Sequence, residues 1–212
     1  MSMDEVKVVV DALGGDDAPG VVLEGVSQAV AQDPSITVIL TGPEDVIVPF
    51  AAEHANVIAH PTTEVIGMGE HPAEAVRRKK DSSIVVGCRL VKEGEAGGFF
   101  SAGSTGACMS AATLVIGRIK GVKRPAIATV LPSPVAKVVF ADMGANADCK
   151  PDYLVQFARM ARVYAQVTLG IENPSVGLLN IGEEETKGSE FAQECQADEE
   201  PRTQLPGQCR GP

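Results

Sequence analysis

Short apolar runs, each closed by a glycine-containing turn and followed by a segment with helical spacing, recur along the chain from Val6 onward. The first run, VKVVVD at residues 6–11, is continuously apolar until its final acid. That is the pattern of a strand covered on both faces in a parallel sheet. Gly14-Gly15 permits a sharp turn, and Pro19 suits the first turn of a helix carrying Val22, Val26 and Val30 on one face. Asp16 or Asp17 is placed to cap that helix. Residues 36–40 (ITVIL) read as a second strand with Gly42-Pro43 as its exit, residues 44–53 as a helix, and residues 56–59 as a short third strand. This alternation predicts a doubly wound α/β fold.

Residues 61–70 break the pattern as a loop, after which Pro72 opens a helix ending in Arg77, Arg78, Lys79 and Lys80. Cations there complement the helix dipole, and they also offer a landing point for phosphate or an acidic protein. Residues 84–91 form the next helix, ended by Gly94. The stretch from Gly98 to Ile119 then reads as strand, tight turn and helix. Its parts are Phe99 and Phe100, the turn from Ser101 to Gly106, and Met109, Ala112, Leu114, Ile116 and Ile119 at helical spacing. Such a turn leaves the first N–H groups of the helix unpaired, and its glycines let a ligand approach the backbone, so an anion is the natural guest. Ser101, Ser104 and Thr105 can add hydrogen bonds to that guest, or can serve as helix caps. With only Gly103 and Gly106 present the dinucleotide fingerprint is missing, no lysine follows Gly106 as a nucleotide phosphate loop requires, and the GxSxG elbow is absent.

Residues 126–131 and 137–141 read as neighbouring strands joined at Pro132-Ser133-Pro134, the second ending in the turn DMGANAD at residues 142–148. Pro151 begins a long amphipathic helix reaching Val167. Residues 176–182 (VGLLNIG) read as a further strand and turn, followed by EEETKG.

At 212 residues, 44% hydrophobic and 22% charged, the chain suits one substantial globular domain or a domain plus part of another. A net charge of -10 argues against nonspecific nucleic-acid binding. No apolar run approaches the ~18–20 residues of a membrane span, and the acidic start does not suit a secretory signal, so a cytoplasmic protein is expected. The five cysteines are odd in number, scattered and free of CxxC, which signals neither a disulfide framework nor a zinc site and predicts buried thiols. His54, His60 and His71 show no metal spacing and are expected at the surface or in loops. No cofactor is called for.

Four strand-end turns stand together: DALGGDDAP, SAGSTGA, DMGANADCKP and GLLNIGEEETKG. With AVRRKKDSS, IGRIKGVKRPAIA and LVQFARM between them, the chain from Val6 to Glu190 resembles the bacterial acyl-carrier-protein:phosphate acyltransferase family of phospholipid synthesis. The resemblance implies transfer of a fatty acyl group from acyl carrier protein (ACP) to inorganic phosphate, giving acyl phosphate. It also implies a Rossmann-like doubly wound α/β sheet similar to phosphotransacetylases and isopropylmalate dehydrogenases, a homodimer, and loose association with the inner face of the membrane. Leu13 and Asp17 stand where the family usually has Met and often His, and Ser104 where it usually has Asn.

Phosphate is the nucleophile in such a reaction and a thiolate, of ordinary pKa ~8.5, the leaving group, so no covalent enzyme nucleophile is required. Gly14, Gly15, Asp16, Ser101, Gly103, Ser104, Thr105 and Gly106, with Arg77 and Lys80, are the expected contacts for phosphate or the acyl donor. Lys187 and Asn146 are expected to polarise the carbonyl or position phosphate. Asp11, Asp142 and the carboxylate of Asp16 are expected to orient neighbours, because a carboxylate facing phosphate is repulsive. An acyl-CoA phosphotransacetylase and a noncatalytic phosphate- or ACP-binding fragment are the alternatives.

Residues 1–192 are expected to form the phosphate acyltransferase-like domain, incomplete at the C-terminus, with an exposed apolar sheet edge. Residues 193–212, rich in Pro, Gln and Glu, depart from the family and are expected to be a disordered tail left by truncation or a frame change near Ala192.

Overall fold

The computed structural model describes residues 6–134, 136–146 and 148–179. The chain divides into two units between Arg118 and Ile119.

The first unit is built on a parallel sheet of β1 (Val6–Asp11), β2 (Ile36–Gly42), β3 (Val57–Pro61) and β4 (Gly98–Phe100), in the order β3-β2-β1-β4. Val6 pairs with Ile36 and Asp11 with Thr41, while Val10 pairs with Phe100 on the other side. The apolar run of β1 is continuous because both of its faces are covered. Val10, Val38 and Leu40 pack with Val26 of α1 (Gly20–Gln32) and Ile47 of α2 (Glu44–Ala52). On the opposite face Val9 and Ile39 pack with Val86 and Leu90 of α4 (Ser83–Glu93). Helices on both faces of a parallel sheet are the expected doubly wound arrangement. α4 ends at Gly94 in the left-handed conformation, φ 79°, where a side chain would be strained.

Between α2 and α4 lies α3 (Pro72–Arg78), which packs with α4 and with α5 (Thr105–Ala111) around Ile66, Val76, Val85 and Cys88. The expected helix after the central turn is shorter than its spacing suggests. α5 widens into a π-helical turn at Ala112–Ile116 and stops at Gly117, φ 99°. Leu114, Ile116 and Ile119 are exposed rather than core residues, Ile119 at 77%.

In the second unit β5 (Ala128–Leu131) and β6 (Val138–Ala141) pair antiparallel, Ala128 opposite Ala141. The two strands are neighbours as read, yet among the described residues they do not extend the parallel sheet. A parallel return needs a crossover of about a dozen residues, which the Pro-rich connection does not supply. α6 (Pro151–Leu169) carries the amphipathic pattern, with Phe157 and Ala165 buried. Lys123 pairs with Asp152, and Arg124 lies over the Tyr153 ring. Residues 176–179 form no strand, only a bridge residue at Leu179, and the remainder of that predicted strand and turn lies outside the described residues.

One smaller expectation is corrected, and the surface-or-loop placement of the histidines holds for His54 and His71 but not for His60. Neither Asp16 nor Asp17 caps α1 through its side chain, because the cap position falls to Pro19 and Asp17 supplies only its carbonyl, to Val21. His54 is half-buried, its ring stacked on Phe50 and hydrogen-bonded to the Phe50 carbonyl (2.8 Å) and Ser27 Oγ (3.1 Å), while His60 lies within β3. His71 is the exposed residue ahead of α3. Cys88 is buried, and burial pushes its thiol up to about 12, so it is a neutral packing group at pH 7. Cys108 and Cys149 are half-buried, and Cys195 and Cys209 lie outside the described residues.

Candidate functional site

β1 and β4 are adjacent and parallel, so the turns that follow them emerge side by side at the carboxyl rim, where open α/β sheets bind ligands. Asp11, the last residue of β1, is 2% exposed. Its Oδ1 accepts from the Leu13 N–H (3.0 Å) and its Oδ2 from the Ser101 hydroxyl (2.8 Å), while Ser101 Oγ accepts from the Gly103 N–H (3.0 Å). One carboxylate therefore fixes both turns. Gly14 is the point of closest approach. A Cβ there would lie 2.7 Å from both the Ala102 N and Ser101 Oγ, and 2.9 Å from the Gly103 N. Only a residue without a side chain fits.

Ser104 caps α5, its Oγ accepting from the Ala107 N–H at 3.3 Å. Its hydroxyl thus has a structural task, in keeping with the cap reading. The N–H groups of Thr105 and Gly106 take no carbonyl or side chain among the described residues, and Thr105 is exposed. Pro72 abuts Gly106, where an added Cβ would lie 2.8 Å from the Pro72 ring. A cavity of about 110 Å³ lies beside the same turns, lined by Asp11, Leu13, Gly15 and Gly103 together with Ile66, Met68 and Ser83. The last three were not read from the sequence. The loop carrying Ile66 and Met68 shows no periodicity, and its place is set by Lys79, whose ammonium binds the Val65 carbonyl (2.5 Å) and Glu70 (2.6 Å). The Lys79 ammonium and the Gly67 N–H together hold the Glu70 carboxyl below its ordinary range.

The four-cation run is thereby divided. Lys79 anchors a loop and Arg78 pairs with Glu74 (2.7 Å), whereas the side chains of Arg77 and Lys80 are exposed without an ion-pair partner among the described residues, the Lys80 carbonyl accepting from the Arg89 guanidinium (2.8 Å). They sit at the far end of α3 from Pro72, Arg77 roughly 8 Å along the axis. Asp16 is exposed beside Gly15.

In the second unit Asp142 and Asn146 hold each other. Asp142 Oδ1 accepts from the N–H groups of Ile127 (2.8 Å) and Ala145 (3.3 Å), and Oδ2 from the Asn146 N–H (2.9 Å) and side-chain amide (3.0 Å). The Asn146 amide also donates to the Pro125 carbonyl (2.9 Å). Both amide protons are engaged, so Asn146 must release one to donate to a substrate oxygen. Lys187 lies outside the described residues.

Burial raises the Asp142 pKa, but the donors from Ile127, Asn146 and Ala145 outweigh it and hold the carboxyl below its ordinary 3.8. The unfolded chain then takes up the proton first. This stabilisation is whole above the ordinary value and is lost as pH falls through the lower folded value. Melting curves from pH 7 to pH 2 should show Asp142→Asn less stable than the wild type at pH 7 and less acid-sensitive below about pH 4. Equal acid sensitivity of the two would refute this account of Asp142.

A sequence profile of the family described as "Fatty acid synthesis protein" matches residues 6–198, past Glu190. The chain belongs to that family. A relative named phosphate acyltransferase from Desulfitobacterium hafniense (strain Y51) is 54% identical over 190 residues, covering 88% of this chain and 56% of its own. A second of that name, from Clostridium beijerinckii, is 47% identical over 189 residues, covering 87% and 57%. The chain therefore spans little more than half the length of these relatives. Among solved structures, the EutD phosphotransacetylase from Staphylococcus aureus superposes with a TM-score of 0.63 at 22% identity, covering 91% of this chain and 62% of its own. A branched-chain phosphotransacylase from Enterococcus faecalis V583 gives 0.59 at 15% identity, covering 98% and 68%. These superpositions place the fold among phosphotransacetylases, and the family is one of acyltransferases acting with phosphate. Among the described residues no helix is long and apolar enough to cross a membrane.

Proposed function

We propose that this chain carries the phosphate- and thioester-binding part of an acyltransferase that moves a fatty acyl group from ACP to inorganic phosphate. The observation that carries the reading is the joined pair of turns: Asp11 and Gly14 lock the β1 turn against the Ser101–Gly103 backbone. The reaction asks for positioning and charge stabilisation, with phosphate attacking the carbonyl and thiolate departing. Phosphate meets the free N–H groups of Thr105 and Gly106, with Ser104 and Gly103 at the same rim. Gly14 and Gly15 admit the donor, and the cavity floored by Ile66 and Met68 takes the arm carrying the thioester. Asp11 and Asp16 keep their carboxylates on protein donors and solvent, away from the anion. Lys187 and Asn146 are the residue types for polarising the carbonyl or positioning phosphate, a cation and an amide donor.

Arg77 and Lys80, exposed and away from the turns, suit the acidic carrier protein better than phosphate. Residues 1–192 act as the family's N-terminal portion, within a homodimer in the full-length enzymes, in the cytoplasm and loosely at the membrane, feeding acyl phosphate to phospholipid synthesis. Residues 199–212 lie beyond the span that matches the family.

The test is release of free thiol from acyl-ACP, with acyl-CoA in parallel, in the presence and absence of phosphate. Release that requires phosphate and prefers the ACP donor is expected, falling at least about a hundredfold in Lys187→Ala, as for loss of one charge-stabilising donor. Preference for acyl-CoA would favour a phosphotransacetylase. Thioester loss indifferent to phosphate would reject the reaction.

A further inference from the structure

A groove of about 690 Å³ runs between α1 and the β1–β4 side of the sheet, within the usual size range of small-molecule sites. Its floor is Val8, Val10 and Val38, its wall Val22 and Val26, and its outer rim Phe100, which is 57% exposed. Along the strands it extends from Ile36 to the level of Phe100, four strand steps of ~3.3 Å or roughly 13 Å. The lining is apolar throughout that length, and polar groups gather only at one end. That end is made of Gly14, Gly15 and Ala102, the two turns already described, with Asp16 and Asp17 beside them.

We propose that this groove holds the hydrocarbon chain of the acyl substrate, its carboxyl end emerging at the paired glycine turns. The inference rests on the acyl-phosphate reading and assigns the tail of that substrate a place. The continuity of the groove with the turns decides the occupant. An uncharged, slender chain tethered to an anionic head fits a channel that is apolar along its length and opens at the Gly14-Gly15 and Ala102 turns. A polar ligand would leave its hydrogen-bonding groups unmatched along those walls.

Gly25 gives a direct probe. It lines the groove at mid-helix, and a Cβ added there meets no atom within 4 Å. Replacing it by a larger residue fills the channel while favouring the helix. The probes are hexadecyl phosphate and butyl phosphate, used below micellar concentration with the full chain and followed by calorimetry. Each methylene placed in an apolar groove should tighten binding about fourfold at best. Hexadecyl phosphate should therefore bind the wild type at least about a hundredfold more tightly than butyl phosphate. Gly25→Phe, with Gly25→Leu as a second filling variant, should remove that advantage and leave butyl phosphate affinity and the helical circular dichroism unchanged.

Equal binding of the two phosphates by the wild type, or an advantage untouched by both variants, overturns the inference. So does a variant that changes the oligomeric state, which would assign the groove to a second copy of the chain. The parent reading fails separately. Long-chain binding that Gly25→Phe abolishes but inorganic phosphate never displaces keeps the groove and removes the phosphate site.

Discussion

Gly14→Ala is expected to destabilise the first unit by about 3 kcal/mol, the upper part of the range for overpacking, and to abolish phosphate binding at the paired turns. The new methyl would lie 2.7 Å from the Ala102 N and 2.9 Å from the Gly103 N. Both are backbone atoms, which cannot rotate aside as the end of a flexible side chain could. One turn has to move, and the Asp11–Ser101 bond between them breaks with it. Gly103 offers a contrast, since its added Cβ would meet Ser101 Oγ at 3.1 Å and the Gly14 Cα at 3.4 Å, distances a small shift relieves. Urea unfolding and a phosphate titration of both variants check this. A Gly14→Ala protein as stable as the wild type would mean the turns do not touch in solution.

Asp11→Ala should cost about 2–4 kcal/mol, because the carboxylate is 2% exposed and its loss leaves two half-buried donors, the Leu13 N–H and the Ser101 O–H, without their acceptors. Ser101→Ala removes one of those donors. The double variant should therefore cost less than the sum of the two single changes, with a coupling of about 1–2 kcal/mol. Simple additivity would show that Asp11 does not hold the second turn. Because Asp11 touches protein donors, its loss should weaken phosphate binding through displacement of the turns, and Asp11→Asn, which keeps an acceptor oxygen, should recover part of it.

The parallel sheet was legible because its signal is local. VKVVVD could be so continuously apolar only with both faces covered, and Gly94 and Pro72 mark helix limits that the structure keeps. Where reading failed, a non-local or competing effect decided. Met109, Ala112, Ile116 and Ile119 keep helical spacing, but the helix widens into a π turn and stops at Gly117, which leaves Ile116 and Ile119 exposed. The antiparallel pairing of β5 and β6 follows from the length of the connection rather than from composition. In the site, the sequence singled out the two glycine turns but could not show that Asp11, ninety residues before Ser101, bonds to it. Nor could it tell which of four adjacent cations is spent on a loop. Lys79 is the half-buried C-cap of α3 and reaches back to Val65 and Glu70, whereas Lys80, one residue further on, is exposed.

Chemical-shift mapping of the isotopically labelled chain during an inorganic phosphate titration tests most directly whether the two turns form one anion site. Saturable shifts concentrated on the amides of Gly14, Gly15, Gly103, Thr105 and Gly106, and lost in Gly14→Ala, are the predicted result. Shifts confined to Arg77 and Lys80, or spread evenly over exposed cations with no saturation, would contradict it.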